Sequence, residues 1–255
     1  MNDDVATLPP PFCRELTQAD VTTSATLQSF EAVKPTLSRL ASHRSEINTI
    51  LDVGCHNGGF AKALGTYLEA EQVYGIDRDE AAVAKAKERG VDAVTLDVEE
   101  AAFPFESGEI DLVLAFGLVE HLRSYDNVFV ESGRVVDDGW LWITAPNLGS
   151  WLNRLALLFG YQPRNVELSS ERAVGTLPVY DRSEHLDHVH APTYRALVDV
   201  LNLYGFTPIE TAGLSPYQRG RLVRFIDWIA THRVSLSRRI SILALHDSGH
   251  YHPTS

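Results

Sequence analysis

The stretch Asn48 to Leu64, NTILDVGCHNGGFAKAL, constrains this chain more than any other. Ile50, Leu51 and Val53 form a short run of branched apolar residues. Gly54, Gly58 and Gly59 follow, and Phe60, Leu64 and Leu68 return at helical spacing. The pattern predicts a buried strand, a glycine-rich loop and an opening helix, with Asn57 as the helix N-cap. Glycines let a ligand approach the backbone, and the helix N-terminus behind them favours an anionic group. The layout is that of a nucleotide-type cofactor site.

The same residues discriminate between cofactors. A dinucleotide fingerprint requires G-x-G-x-x-G, whose middle glycine lets the backbone reach a pyrophosphate. His56 stands at that middle position, and Asp52, two residues before Gly54, suits a cationic amine better than a phosphate. An NAD-dependent oxidoreductase is therefore the weaker reading. Gln72–Asp77 then reads as a second strand ending in an acid, 23 residues after Gly54. That spacing fits a carboxylate accepting from both ribose hydroxyls; the alternative is that Asp77 caps the next helix, which ends at Gly90. Val91–Leu96 is a third strand, followed by Asp97. Ile110–Phe116, almost continuously apolar, is a fourth strand covered on both faces. Gly139–Ala145 and Phe206–Thr211 supply the fifth and sixth, and Ile240–Leu245 the seventh.

Asp52 to Gly58, D-x-G-C-x-x-G, resembles the first motif of the class I S-adenosylmethionine-dependent methyltransferases, in their small-molecule, type 11-like group. The resemblance continues in order from about Ile47 to Phe206. It implies an α/β fold: a doubly wound, Rossmann-like, seven-stranded and mostly parallel sheet with an antiparallel edge hairpin, plus N-terminal helices. It also implies S-adenosyl-L-methionine as cofactor, held by Asp52, Gly54, Cys55, Gly58, Asp77, Arg78, Asp97, Val98 and Phe116. Residues 1–45 form a helical extension in this reading, with Leu27, Phe30, Val33, Leu37 and Leu40 as a helical stripe interrupted at Pro35. They either pack on the sheet edge or act as a lid. Residues 46–255 form the methyltransferase domain, with a substrate-side insertion at about 147–190. A non-catalytic protein that binds the cofactor for regulation is the other reading.

Ligands of parallel sheets bind beyond the carboxyl ends of the strands, so the segment Gly117–Leu122 after the fourth strand faces the site. Glu120-His121 is similar to half of the E-x-x-E-H signature of metal-assisted relatives, but Gly117 replaces the first glutamate, and no metal is expected. His121 is the first candidate for a base acting on a hydroxyl acceptor, and His188 the second. His185-x-x-His188-x-His190 has metal-like spacing, yet it directly precedes a helix, Pro192–Tyr204. Asn147, Trp151 and His190 are the expected substrate-side residues. Arg219–Arg233 is amphipathic, with Leu222, Phe225, Ile226 and Ile229 on one side. Covering the sheet is the favoured reading, and contact with a membrane surface the other.

The formal net charge of −12 disfavours a bulk electrostatic grip on nucleic acid, so the expected partner is a small-molecule acceptor. The start MNDDVATLPPPF lacks the features of a signal peptide, and two cysteines, Cys13 and Cys55, make no disulfide framework. The expected location is cytoplasmic. Nothing in the sequence sets the oligomeric state.

Overall fold

A computed structural model describes residues 24–180, 186–215, 221–247 and 249, with side chains from residue 32 in the first helix and from 222 in the last. The elements are α1 (Ser24–Ser42), β1 (Thr49–Val53), α2 (Gly59–Leu68), β2 (Gln72–Asp77), α3 (Glu80–Glu88), β3 (Asp92–Thr95) and β4 (Leu112–Phe116). A 3-10 turn (Val119–His121), α4 (Asp126–Val136), β5 (Trp140–Pro146), α5 (Trp151–Leu158) and α6 (Tyr194–Leu203) follow. The described chain closes with β6 (Phe206–Leu214), α7 (Arg221–Thr231) and β7 (Arg239–His246).

The strands form one seven-stranded sheet in the order β3-β2-β1-β4-β5-β7-β6. β1 pairs in parallel with both β2 and β4, while β7 is antiparallel to β5 and to β6. The expected antiparallel edge hairpin is present: β6 is the edge strand, and β7 lies between it and β5. The chain winds outward from β1 to β3 and returns to the other side of β1 at β4. That reversal opens a crevice beyond the carboxyl ends of β1 and β4, where open α/β sheets bind ligands.

Both sheet faces are covered, which explains why the strands read as continuous apolar runs. Leu51, Val53, Val113 and Ala115 face one side, with Val128 and Phe129 of α4 and Leu197 and Leu201 of α6. Ile50, Leu112, Leu114 and Trp142 face the other, with Leu64 and Leu68 of α2 and Val33, Leu37 and Leu40 of α1. α1 continues through Pro35 instead of breaking there. Pro35 is exposed, so its missing N–H falls on the solvent side while Val33, Leu37 and Leu40 hold the helix to the sheet. Arg39 Nε and Thr36 Oγ1 donate to the Glu210 carboxylate on β6, at 2.9 and 3.1 Å. The described side chains of α1 thus pack on the sheet; the segment before residue 24, including Cys13, lies outside the described residues.

α7 departs from its expected orientation. Leu222, Phe225 and Ile229 point to solvent, as does Trp228, and the buried side of the helix carries Asp227 and Ala230. The cause is polar: Asp227 Oδ1 accepts from Trp151 Nε1 at 2.7 Å and from Arg238 Nε at 2.8 Å, which turns the helix inward on its acid. No helix among the described residues is long and apolar enough to cross a membrane.

Candidate active site

A cleft of about 370 Å³ lies beyond the ends of β1 to β4. Gly54, Asp77, Arg78, Asp97, Val98, Phe116 and His121 all line it, so seven of the expected site residues, taken from separate strand ends, share one cavity. Gly54 has φ 80°, and its N–H donates to the Ile76 carbonyl at 2.8 Å. The positive φ is what favours glycine here; a Cβ would come within 3.1 Å of Leu118 Cδ1 at the cleft wall, a tight contact with a side-chain end that can shift.

Asp77 is held by the loop it faces. Its Oδ2 accepts from the His56 N–H at 2.7 Å and its Oδ1 from the Asp79 N–H at 2.9 Å. The next helix is capped by Asp79 and not by Asp77: Asp79 Oδ1 accepts from Ala81 and Ala82 N–H groups. Asp77 is thereby available to the cleft. Asp97 is also fixed, its Oδ1 accepting from Glu99 N–H at 3.0 Å. Asp52 lies deeper, 5% exposed and outside the cleft lining. Burial, and then the nearby Asp77, push its carboxyl from the ordinary 3.8 up to about 7. A buried acid in that state is stabilised by an incoming cation.

Other expected positions serve the frame. Cys55 is buried, with Sγ beneath Gly75, where a Cβ would meet it at 2.7 Å. Burial, with Asp52 and Asp77 nearby, pushes its thiol up to about 12, which leaves it inert. Gly58, not Asn57, is the N-cap of α2, with φ 70°; Asn57 Oδ1 accepts from Gly59 N–H, two residues on. A Cβ on Gly58 would lie 2.9 Å from Ala86 Cβ, so this glycine allows α2 and α3 to approach, and it does not line the cleft. Asn147 is fully buried: its Nδ2 donates to the Val234 and Ser237 carbonyls and its Oδ1 accepts from Gly149 N–H. Those bonds tie it into the frame, and it does not line the cleft. Trp151 is tied to Asp227 through its indole N–H, and the His190 ring lies 5.0 Å from that of Tyr125. Neither lines the cleft.

His121 Nδ1 lies 3.0 Å from the Asp187 carbonyl oxygen. A carbonyl only accepts, so Nδ1 carries the proton and Nε2 keeps its lone pair in the neutral ring. The fold brings His188 beside it, ring centroids 5.1 Å apart. Burial, then His121 and the Arg239 and Arg164 cations, push His188 down to about 3. An imidazole that holds a proton so poorly is a weak base at neutral pH, which ranks His121 ahead of it. Glu120, His121 and His188 hold ligand-type atoms within 4.8 Å of one another. Arg239, however, already sets a cation against Glu120, its guanidinium 3.3 Å from Oε1. His185 lies outside the described residues.

Sequence reasoning missed His56, Leu96, Glu99 and Asp187 as lining residues; Gly117, Leu118 and Leu122 line the cleft as well. Leu118 and Leu122 fall inside the segment predicted to face it. Asp187 carried no signal, since it sits in a stretch without periodicity, at φ 55°.

A family profile described as a methyltransferase domain matches residues 51–143. Proteins of two Mycobacterium tuberculosis strains, each named a probable S-adenosylmethionine-dependent methyltransferase, are 30% identical over 105 residues, which is 41% of this chain. The match spans 38% of the length of these curated relatives. Among solved structures, an S-adenosylmethionine-dependent methyltransferase from Mesorhizobium loti superposes with a TM-score of 0.56 at 16% identity, over 84% of this chain and 98% of that one. A protein from Pyrococcus horikoshii superposes at 0.55 with 18% identity, over 97% and 100%. At these identities the structural likeness is one of fold.

Proposed function

We propose, from the premise that this chain is built on a class I S-adenosylmethionine-dependent methyltransferase domain, that it transfers a methyl group from that cofactor to a hydroxyl of a small-molecule or saccharide acceptor. The residues at the strand ends fit the cofactor. Asp52 is a buried acid suited to an ammonium, Asp77 and Asp97 are carboxylates pinned at the cleft rim, and Gly54 opens the backbone between them. When bound, the cofactor supplies a methyl group already activated on a sulfonium. The protein's part is then alignment, which can contribute on the order of 7–11 kcal/mol.

The observation that carries the choice of oxygen is His121: a cleft-lining imidazole whose Nδ1–H is committed to the Asp187 carbonyl. Its Nε2 can take the proton of a hydroxyl as that oxygen becomes the nucleophile, a contribution of roughly 10²–10⁴ in rate. No divalent metal enters this reading, because Arg239 supplies the cation at Glu120 and Gly117 stands where metal-assisted relatives carry glutamate. We place the reaction in the cytoplasm and assign no nucleic-acid partner, in line with the net charge of −12.

The test is single-turnover transfer of labelled methyl to a metabolite panel, with cofactor affinity measured separately using S-adenosylhomocysteine. His121→Ala should slow transfer by ~10²-fold or more at nearly unchanged affinity. His121→Gln, which keeps a hydrogen bond but not basicity, should be almost as slow. Exhaustive chelation should leave the parent rate intact. Normal transfer by a well-folded His121→Gln variant, or a rate lost to chelation and restored by magnesium, would refute the assignment.

A further inference from the structure

α7 holds four large apolar side chains in water. Leu222, Phe225, Trp228 and Ile229 are between 51% and 70% exposed. Phe225 follows Leu222 by three residues, and Trp228 and Ile229 follow Phe225 by three and four, so all four share one face of the helix. The Phe225 and Trp228 rings stack at 6.2 Å, and Trp228 meets His232 edge-on at 5.0 Å, which makes a continuous aromatic ridge. The opposite face is anchored. Asp227 is bonded to Trp151 and Arg238, and Ala230 is buried beside the next turn. The helix cannot roll its apolar side inward without breaking two buried polar bonds. An apolar face of this kind marks a contact surface.

Charge selects what it contacts. From Arg221 to Arg239 the sequence holds five arginines and a single acid, Asp227, in a chain whose formal net charge is −12. That acid is buried in its pair with Arg238, so it does not offset the remaining arginines at the surface. Arg224 and Arg233 are exposed, and neither forms an ion pair among the described residues. Acids farther off are screened over about 8–10 Å at physiological salt, which leaves the local cationic excess to act. Two copies of this chain meeting face to face would set the same arginines against each other. An anionic lipid surface instead attracts each of them. Phe and Trp on one face with arginines alongside is also the make-up of a helix lying in the plane of a bilayer interface.

The position of α7 gives such a contact a consequence. Pro146 at the end of β5 and Leu214 at the end of β6 both pair with Arg239, so α7 leaves the sheet at the carboxyl end of β5, the end that carries the cleft. α5 starts at that same end, is tied to α7 through Trp151, and finishes in the exposed residues Leu157, Leu158 and Phe159. We propose that the exposed face of α7 docks on an anionic phospholipid surface. Phe225 and Trp228 enter the boundary between headgroups and acyl chains, and Arg224 and Arg233 lie against the lipid phosphates. The docked protein turns the cleft end of its sheet toward the bilayer.

The experiment is flotation of the full chain with two kinds of vesicle, phosphatidylcholine alone and equimolar phosphatidylcholine and phosphatidylglycerol. The parent should partition onto the anionic vesicles at least tenfold more strongly than onto the neutral ones. Phe225→Ser/Trp228→Ser should lower that partition at least tenfold, through lost apolar contact. Arg224→Gln/Arg233→Gln should lower it about tenfold or more and bring it toward the neutral-vesicle value. Leu203→Ser, exposed at the opposite end of the sheet where α6 leads into β6, should bind as the parent does. Thermal unfolding and S-adenosylhomocysteine affinity should match the parent in all three variants, which separates lost docking from lost structure. Parent protein that ignores anionic vesicles, or partitions equally onto both kinds, overturns the proposal with no variant needed. So does full binding by a folded Phe225→Ser/Trp228→Ser variant. A dimer in sedimentation that this variant abolishes, with vesicles ignored, would instead assign the face to a second copy of the chain.

Discussion

Asp52 shows how one side chain can be costly for stability and useful for binding. Its folded pKa, about 7, is raised above the ordinary 3.8. Its favourable contribution is therefore fully present below about 3.8, is lost as pH rises toward 7, and stays lost above it. Asp52→Asn should accordingly stabilise the ligand-free protein at pH 8 by a few kcal/mol, on the order of 4 at most. The gain should vanish toward pH 4, which denaturant unfolding at both pH values would show. Under the proposed function the ammonium of the cofactor requires the charged form of Asp52, so binding should release a proton near neutral pH. Affinity should fall by up to about tenfold per pH unit below 7, and the Asn variant should lack this slope. Calorimetry in buffers of different ionisation enthalpy measures that proton directly. Asp77 should behave differently, because its oxygens are fixed at the cleft rim by the His56 and Asp79 N–H groups. Asp77→Ala should weaken S-adenosylhomocysteine binding by roughly 1–3 kcal/mol, with Asn in between. Affinity within twofold of the parent would remove the ribose assignment. Both aspartates were legible in the sequence from their places at strand ends; the depressed basicity of His188 was not, since it arises from groups distant in sequence.

At the scale of elements, the glycine loop divides its labour. Gly54 lines the cleft, while Gly58 lets α2 and α3 close on each other. A comparison with Gly90 isolates the packing part, because both residues have positive φ but Gly90 faces open space apart from Lys62 Nζ at 3.7 Å. Gly90→Ala should cost about 1–2 kcal/mol from backbone alone. Gly58→Ala should cost about 2–4 kcal/mol, adding overpacking against Ala86 and Val91. Equal costs by thermal or chemical unfolding would show that the two helices yield without penalty. The sequence placed both glycines in one ligand loop because spacing reports a turn, and spacing is silent about which helix lies across from it. The same limit explains α7, whose apolar side was expected to cover the sheet. Two polar bonds to Asp227, from Trp151 and Arg238, outweighed the apolar stripe.

For the whole molecule, the doubly wound sheet fixes where chemistry can occur and which aromatic groups hold it together. Trp142 is 1% exposed, packs against Phe60 and Phe116, and donates its indole N–H to Ser241 Oγ at 2.8 Å. Trp142→Ala should cost about 3–5 kcal/mol. Trp228, 62% exposed on α7, should tolerate serine within about 0.5 kcal/mol in the isolated chain. A large loss at Trp228 would mean that its face is covered in solution.

What the sequence determined by itself was the strand–loop–helix at Asn48–Leu64, the alternation of helices and strands, and the acids at successive strand ends. These are written in local periodicity, because a strand or helix exposes its buried face at a fixed interval along the chain. What only the tertiary structure decided was the meeting of residues with no local relation. Arg239 reaches Glu120 across 119 positions, Asp187 fixes His121 across 66, and Asn147 binds carbonyls up to 90 residues on. No interval along the chain encodes such contacts, since they depend on how the sheet winds back from β3 to β4 and inserts β7 beside β5.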